Sequence, residues 1–336
     1  MISTHPQRRA RTKPAPGDNM PHPLNTSIQR RLLLAASASV FSTPFIASAQ
    51  SFPNRPIRII VPFPPGGPTD VLARTLAQSM SPVLGQPVII DNKPGAGGSA
   101  GLGLVAQSQN DGYTILFSNL APLVINPHLM PQATPINAFS PVSAFAFIPQ
   151  VLASSRHNVF SALSGRDVMF GNNGNGSAAH IMAVMVARNA NLRATHIPYR
   201  GAAPMLVDMM ANKFDVAIFS AVNLEPHRAS GKLNYLAVTS PMPSQPNVPT
   251  FDQVGISDAT FNDWYGLLAP TGTPSAIISQ LNNALIRVVN SPDVQQRIKS
   301  MGALPQLSSP EQFDLLIRLY SERVGKAVRE NGITAS

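Results

Sequence analysis

The sequence predicts an α/β protein of two lobes, each a doubly wound mixed sheet flanked by helices. Three observations carry that prediction. From Ile57 onward, apolar runs of strand length alternate with helical stretches, as in βαβ units with right-handed crossovers and loops gathered at the strand C-termini. The alternation breaks at 139–155, where two apolar runs meet at Pro149 with no helix between them, and then begins again. A last apolar run at 264–269 precedes two closing helices, where a strand returning to the first lobe belongs. Two lobes joined by two strands suit a hinged cleft. The expected boundaries are 1–49 for an N-terminal lead and signal peptide, 50–148 for lobe I and 149–259 for lobe II. Residues 260–336 supply the return strand and the helices that pack on lobe I.

The run Ile57–Val61 reads as a buried strand, stopped by Pro62, Pro64, Pro65, Gly66 and Gly67. Thr69 or Asp70 then caps a helix whose stripe is Leu72, Leu76 and Met80. Residues 87–91 read as a second buried strand, 92–101 as a loop opening a helix to about Gln107, and 113–117 as a third strand ending at Asn119. In lobe II, strands at 167–170, 195–199, 214–219 and 233–238 alternate with helices at 178–189 and about 204–211. The Pro/Ser-rich piece 240–249 marks a surface loop. Helices over about 274–290 and 310–329 are amphipathic and need a sheet to lie on.

Composition narrows the function classes. The 336 residues are 44% hydrophobic and only 12% charged, a globular profile rather than a disordered one. The net charge of +9 suggests nucleic acid, but residues 1–49 hold Arg8, Arg9, Arg11, Lys13, Arg30 and Arg31 against one acid, Asp18. The remainder carries a mild excess that draws anionic solutes and makes no phosphate-tracking stripe. Nucleic acid is not an expected partner. With no cysteine there is no disulfide, thiolate zinc site or iron–sulfur cluster. Arg30 and Arg31, the apolar run 32–46 and Ala47-Ser48-Ala49 form a secretory signal with cleavage expected after Ala49, so the mature protein is exported and soluble. Residues 1–19 precede a second methionine, Met20, and look like an over-long start or a disordered lead.

Three glycine-rich loops, 65–70, 95–101 and 171–177, each open a helix and each can point N–H donors at an anion. The same glycines serve tight βα turns, but three such loops over two lobes favour a shared binding cleft. The middle loop is not a dinucleotide site, because the strand after it ends in Ser118-Asn119 rather than an acid, and no Gly-Lys-Ser/Thr makes it a P-loop. Gly97-Gly-Ser99-Ala-Gly101 fits a nucleophile-elbow pattern, with Asp208 or Asp215 and then His227 completing a hydrolase order. Yet four residues separate Asn92 from Gly97, where an elbow serine sits directly at a strand end. An exported hydrolase using Ser99 is the alternative function. The histidines His128, His157, His180, His196 and His227 show no metal-ligand spacing, and no metal or cofactor is expected. Arg200 stands at a strand's C-terminal end, where a cation meets a carboxylate, and reads equally as a solvated loop charge.

Five stretches together resemble the Bug family of periplasmic solute receptors, the extracytoplasmic component of tripartite tricarboxylate transporters. They are 53–70 (PNRPIRIIVPFPPGGPTD), 92–98 (NKPGAGG), 196–204 (HIPYRGAAP), 247–251 (NVPTF) and 264–274 (WYGLLAPTGTP). The resemblance implies a two-lobed "Venus flytrap" that closes on a small organic acid, held largely by backbone groups and ordered water. It implies first-lobe contacts at Phe63, Gly66, Gly67, Thr69, Asp70 and Asn119. Second-lobe contacts would be Gly174, Ser177, His180, Tyr199, Gly201 and Asp215. It further implies hand-over of a carboxylate to membrane permease subunits; a monomer is expected, and a receptor that signals to a sensor kinase is a third reading. Between Val151 and Gly171 the chain is shorter than this family's pattern, with 156–166 where a fuller helix is usual.

Overall fold

The computed structural model describes residues 52–334, so the expected signal peptide and its cleavage after Ala49 lie outside the described residues. Strand β1 (Ile57–Val61) is buried at every position but Arg58. It lies inside its sheet, parallel to β2 (Val88–Asn92) on one side and to β3 (Thr114–Asn119) on the other, which is why it is apolar throughout. Helix α1 (Pro68–Leu84) buries the expected stripe Leu72, Leu76 and Met80. It starts earlier than expected: Gly67 is the cap residue, while Thr69 and Asp70 sit buried in the first turn. Pro68 is tolerated there because the first helical N–H has no partner in any case. β2 is the sheet's edge rather than a buried strand, and Ile89 is 51% exposed. There follow α2 (Ser99–Ala106), the short helices α3 (Ala121–Val124) and α4 (Asn126–Leu129), and β4 (Phe139–Ile148).

Pro149 carries the chain into the second sheet. That sheet holds β5 (Gln150–Ser154), β6 (Asp167–Asn172), β7 (Arg193–Pro198), β8 (Val216–Ser220) and β9 (Asn234–Val238), with α5 (Ala178–Asn189), α6 (Ala202–Met210) and α7 (Ala221–Leu224) between them. Between β5 and β6 there is one short 3-10 turn, Phe160–Leu163. The chain then returns as β10 (Asp263–Pro270) and ends in α8 (Ser275–Val289), α9 (Pro292–Ser300), β11 (Leu304–Pro305) and α10 (Pro310–Glu330). α9 is absent from the sequence prediction because only Val294 and Ile298 are buried, too few to show a period.

The first sheet runs β11-β4-β10-β3-β1-β2 and the second β7-β6-β8-β5-β9. Each holds a parallel trio, β2-β1-β3 or β7-β6-β8, flanked by one antiparallel strand. That strand arrives from the other sheet: β10 pairs with β3 and β4, and β5 pairs with β8 and β9. The two crossings are stitched together. The Gln150 N–H donates to Thr239 Oγ1 at 2.8 Å, and the Thr239 N–H donates back to the Gln150 carbonyl at 2.9 Å. Thr239 Oγ1 in turn donates to Asn262 Oδ1 at 2.6 Å. Every group in this stitch is satisfied, so it is a defined joint rather than a loose linker.

Candidate functional site

Ligands of open α/β sheets sit outside the strand C-termini. Here those ends border a cavity of about 320 Å³, the size of a small metabolite's pocket. Asn119, Leu120 and Ala121 reach it after β3, Asn173, Gly176, Ser177 and Ala178 after β6, and Ser220 and Asn223 after β8. Gln150, Asn262 and Asp263 line it from the two crossings, and Asn126 from α4.

Of the expected contacts, Asn119 and Ser177 line this cavity. Ser177 caps α5, its Oγ accepting from the His180 N–H at 3.2 Å, so the free N–H groups of that helix start open on the cavity. Thr69 stands near it indirectly, beside Tyr265, whose hydroxyl donates to Asp263 Oδ2 at 2.6 Å. Gly66 borders a neighbouring crevice with Val222 and Met301 instead. Phe63, Gly67, Gly174, Tyr199 and Gly201 lie in loops and His180 in the first turn of α5, and none of them lines the cavity.

Several of these residues are already engaged. Asp70 Oδ2 accepts from the Gly66 N–H and from Arg74 Nε, both at 2.9 Å, and Oδ1 accepts from Asn92 Nδ2 at 2.9 Å. Burial raises its pKa, but the Arg74, Gly66 and Asn92 hydrogen bonds and the Arg74 charge outweigh that and hold it below the usual carboxylate range. Loop 65–70 therefore already cradles one anion, the chain's own. The Tyr199 hydroxyl donates to Asp208 at 3.1 Å. His180 Nδ1 accepts from the Gly176 N–H at 3.1 Å, bracing the loop, and burial lowers its pKa. Asp215 is not brought to the cavity. It precedes β8 at the opposite end from Ser220, accepting from the Met169 N–H and from Arg156, both at 2.8 Å. Burial raises its pKa, and those two partners bring it below the ordinary value.

The middle glycine loop is a packing device rather than an anion cradle. Gly98 takes φ +97, and a Cβ there would meet the Pro122 ring at 2.8 Å. Ser99 Oγ accepts from Asn126 Nδ2 at 3.1 Å, while Asp208 is bound to Tyr199 and Lys213, so the hydrolase order is not assembled. Arg200 is exposed and does not line the cavity. Among the described residues no cluster of His, Cys, Asp and Glu suits a metal ion, and no helix is long and apolar enough to cross a membrane.

Sequence reasoning missed Asp263. It opens β10 with its Oδ1 accepting from Asn119 Nδ2 at 3.0 Å. It is partly buried where it lines the cavity, and the packing around its carboxyl desolvates it. That desolvation raises its pKa to about 6 even though the Tyr265 and Asn119 hydrogen bonds oppose the shift. The available signal was an acid at the head of an apolar crossing strand. Gln150, Asn223 and Asn262 carried no such signal.

The model of the tripartite tricarboxylate transporter family receptor matches residues 72–333 of this sequence. The chain belongs to that family. This receptor is 34% identical over 317 residues to Protein BugT of Bordetella pertussis, covering 89% of its own length and 97% of BugT. Its fold matches that of the periplasmic binding protein BugD with TM-score 0.67 and 31% identity, covering 85% of this chain and all of BugD. It matches R. palustris Rpa4515, solved with adipate, with TM-score 0.71 and 27% identity over 85% of this chain and 100% of that one. The two mixed sheets are thus the two lobes of a periplasmic binding protein, as the sequence resemblance implied. The receptor is not an enzyme, and the hydrolase reading is set aside.

Proposed function

We propose that this receptor captures a small carboxylate in the interlobe cavity and delivers it to the permease subunits of a tripartite tricarboxylate-type transporter. The observation that carries the reading is the capped start of α5, which opens onto a cavity bordered by both sheets. Rpa4515, a relative at 27% identity, was solved with adipate, a dicarboxylate. The carboxylate is placed against Ser177, with Asn119 opposite it on lobe I. Loop 63–70 and the turn 199–201 close over it through backbone groups, since the Asp70 carboxylate and Tyr199 hydroxyl are occupied. Lobe I comprises 50–148 and 260–336, lobe II comprises 149–259, and the exported protein, cleaved after Ala49, works as a monomer.

A thermal-shift panel of small carboxylates on the protein from Gln50 onward tests this. A ligand at a hundredfold over its Kd stabilises by about 2.7 kcal/mol, which raises Tm by roughly 5 °C in a chain of this size. A panel in which no mono-, di- or tricarboxylate moves Tm rejects the proposal.

A further inference from the structure

The side chains around the cavity are unbalanced in charge. Six are amides, from Asn119, Asn126, Gln150, Asn173, Asn223 and Asn262, one is the carboxyl of Asp263, and none is Lys, Arg or His. Asp263 is held by two neutral donors, the Tyr265 hydroxyl and Asn119 Nδ2, and no cation stands beside it among the described residues. A desolvated carboxylate without a cation is unusual, because desolvation is ordinarily offset by pairing. On lobe II the capped start of α5 borders the cavity and offers N–H donors to an anion. The Asp263 side offers acceptors and negative charge.

We infer that the cavity selects a zwitterionic ligand, an amino carboxylate rather than a plain di- or tricarboxylate, and that Asp263 is the residue that makes the selection. This rests on the cavity being the receptor's ligand site, as proposed above. The ligand carboxylate lies at the Ser177 end. Its ammonium meets Asp263, where its N–H donors bond the carboxylate oxygens and supply the missing countercharge. A ligand with a second carboxylate at that end places like charges together in an enclosed site. Such a ligand is rejected by repulsion rather than by shape.

Calorimetric titration at neutral pH with matched pairs, aspartate against succinate and glutamate against glutarate, tests the inference on the wild-type protein. The two members of each pair differ only by the amino group. The expected result is binding of at least one amino member about tenfold or more tighter than its partner, with Asp263→Asn abolishing that preference. Tighter binding of succinate or glutarate, or an unchanged ratio in a folded Asp263→Asn protein, overturns the inference while leaving carboxylate capture standing. If no carboxylate binds the folded wild-type protein, carboxylate capture itself fails and the inference falls with it.

Discussion

Asp70 and Asp263 are both carboxyls desolvated by the protein, and their surroundings drive them in opposite directions. Asp70 has a cation and two further donors, so its ionised form is favoured by folding; that stabilisation is present above its unfolded pKa and disappears as pH falls through the lowered folded value. Asp263 has a folded pKa of about 6, so its ionisation opposes folding, and stability falls as pH rises from about 4 to about 6 before levelling. Asp263→Asn should therefore gain on the order of 2 kcal/mol at pH 7 and almost nothing at pH 4, measured by urea unfolding at both. A loss of equal size at both pH values would contradict that assignment. At Gly67, φ is ordinary and a Cβ has room, with Pro64 O at 3.8 Å the nearest atom. Gly67→Leu should keep Tm within about 2 °C yet weaken binding about tenfold. Unchanged affinity would remove this loop from the site. Neither carboxyl's role was legible from composition. Asp70 read as a helix cap although Arg74 stands at i+4, because its other side-chain partner, Asn92, lies 22 residues away.

At the level of single elements, α5 is the one whose start matters most. Ser177→Ala removes its cap and should cost about 1 kcal/mol of stability together with ligand affinity. Ser309 caps α10 in a capping box with Gln312 and does not itself line the cavity, which α10 meets about three turns further on at Tyr320 and Val324. Ser309→Ala should cost a similar amount in urea unfolding and leave affinity unchanged; a loss of affinity there would show that capping changes act through global stability alone. Both helices were readable because a capping residue stands directly before a long periodic stripe. β1 was equally readable, since Ile59, Ile60 and Val61 are all buried. β2 misled because its apolar residues occupy an edge, a property of strand order that a local run does not encode. The glycine loops misled for a related reason: the nearness of Gly98 to Pro122 is a tertiary contact that leaves no local trace.

For the whole molecule, the joint of Gln150, Thr239 and Asn262 joins the passage out of lobe I to the passage back. Thr239→Val removes the hydroxyl shared by both and should lower stability by about 1–3 kcal/mol in urea unfolding, since it leaves the Gln150 N–H without its acceptor, while Asn262 Oδ1 keeps only the Ser240 hydroxyl at 3.2 Å. No loss would mean that water replaces the hydroxyl and the joint is looser than it looks. The interleaved strand order also sets a timetable. β3 and β4 are both made early, but neither is complete until β10, translated after all of lobe II, slides between them. β5 to β9 are contiguous in the chain and wait for nothing. A nascent chain that folds as it emerges therefore finishes its second lobe first and carries its first lobe as two unjoined pieces with bare edges. A chain delivered whole meets both edges and their missing partner at once, so the manner of its delivery bears on whether the first lobe aggregates or closes.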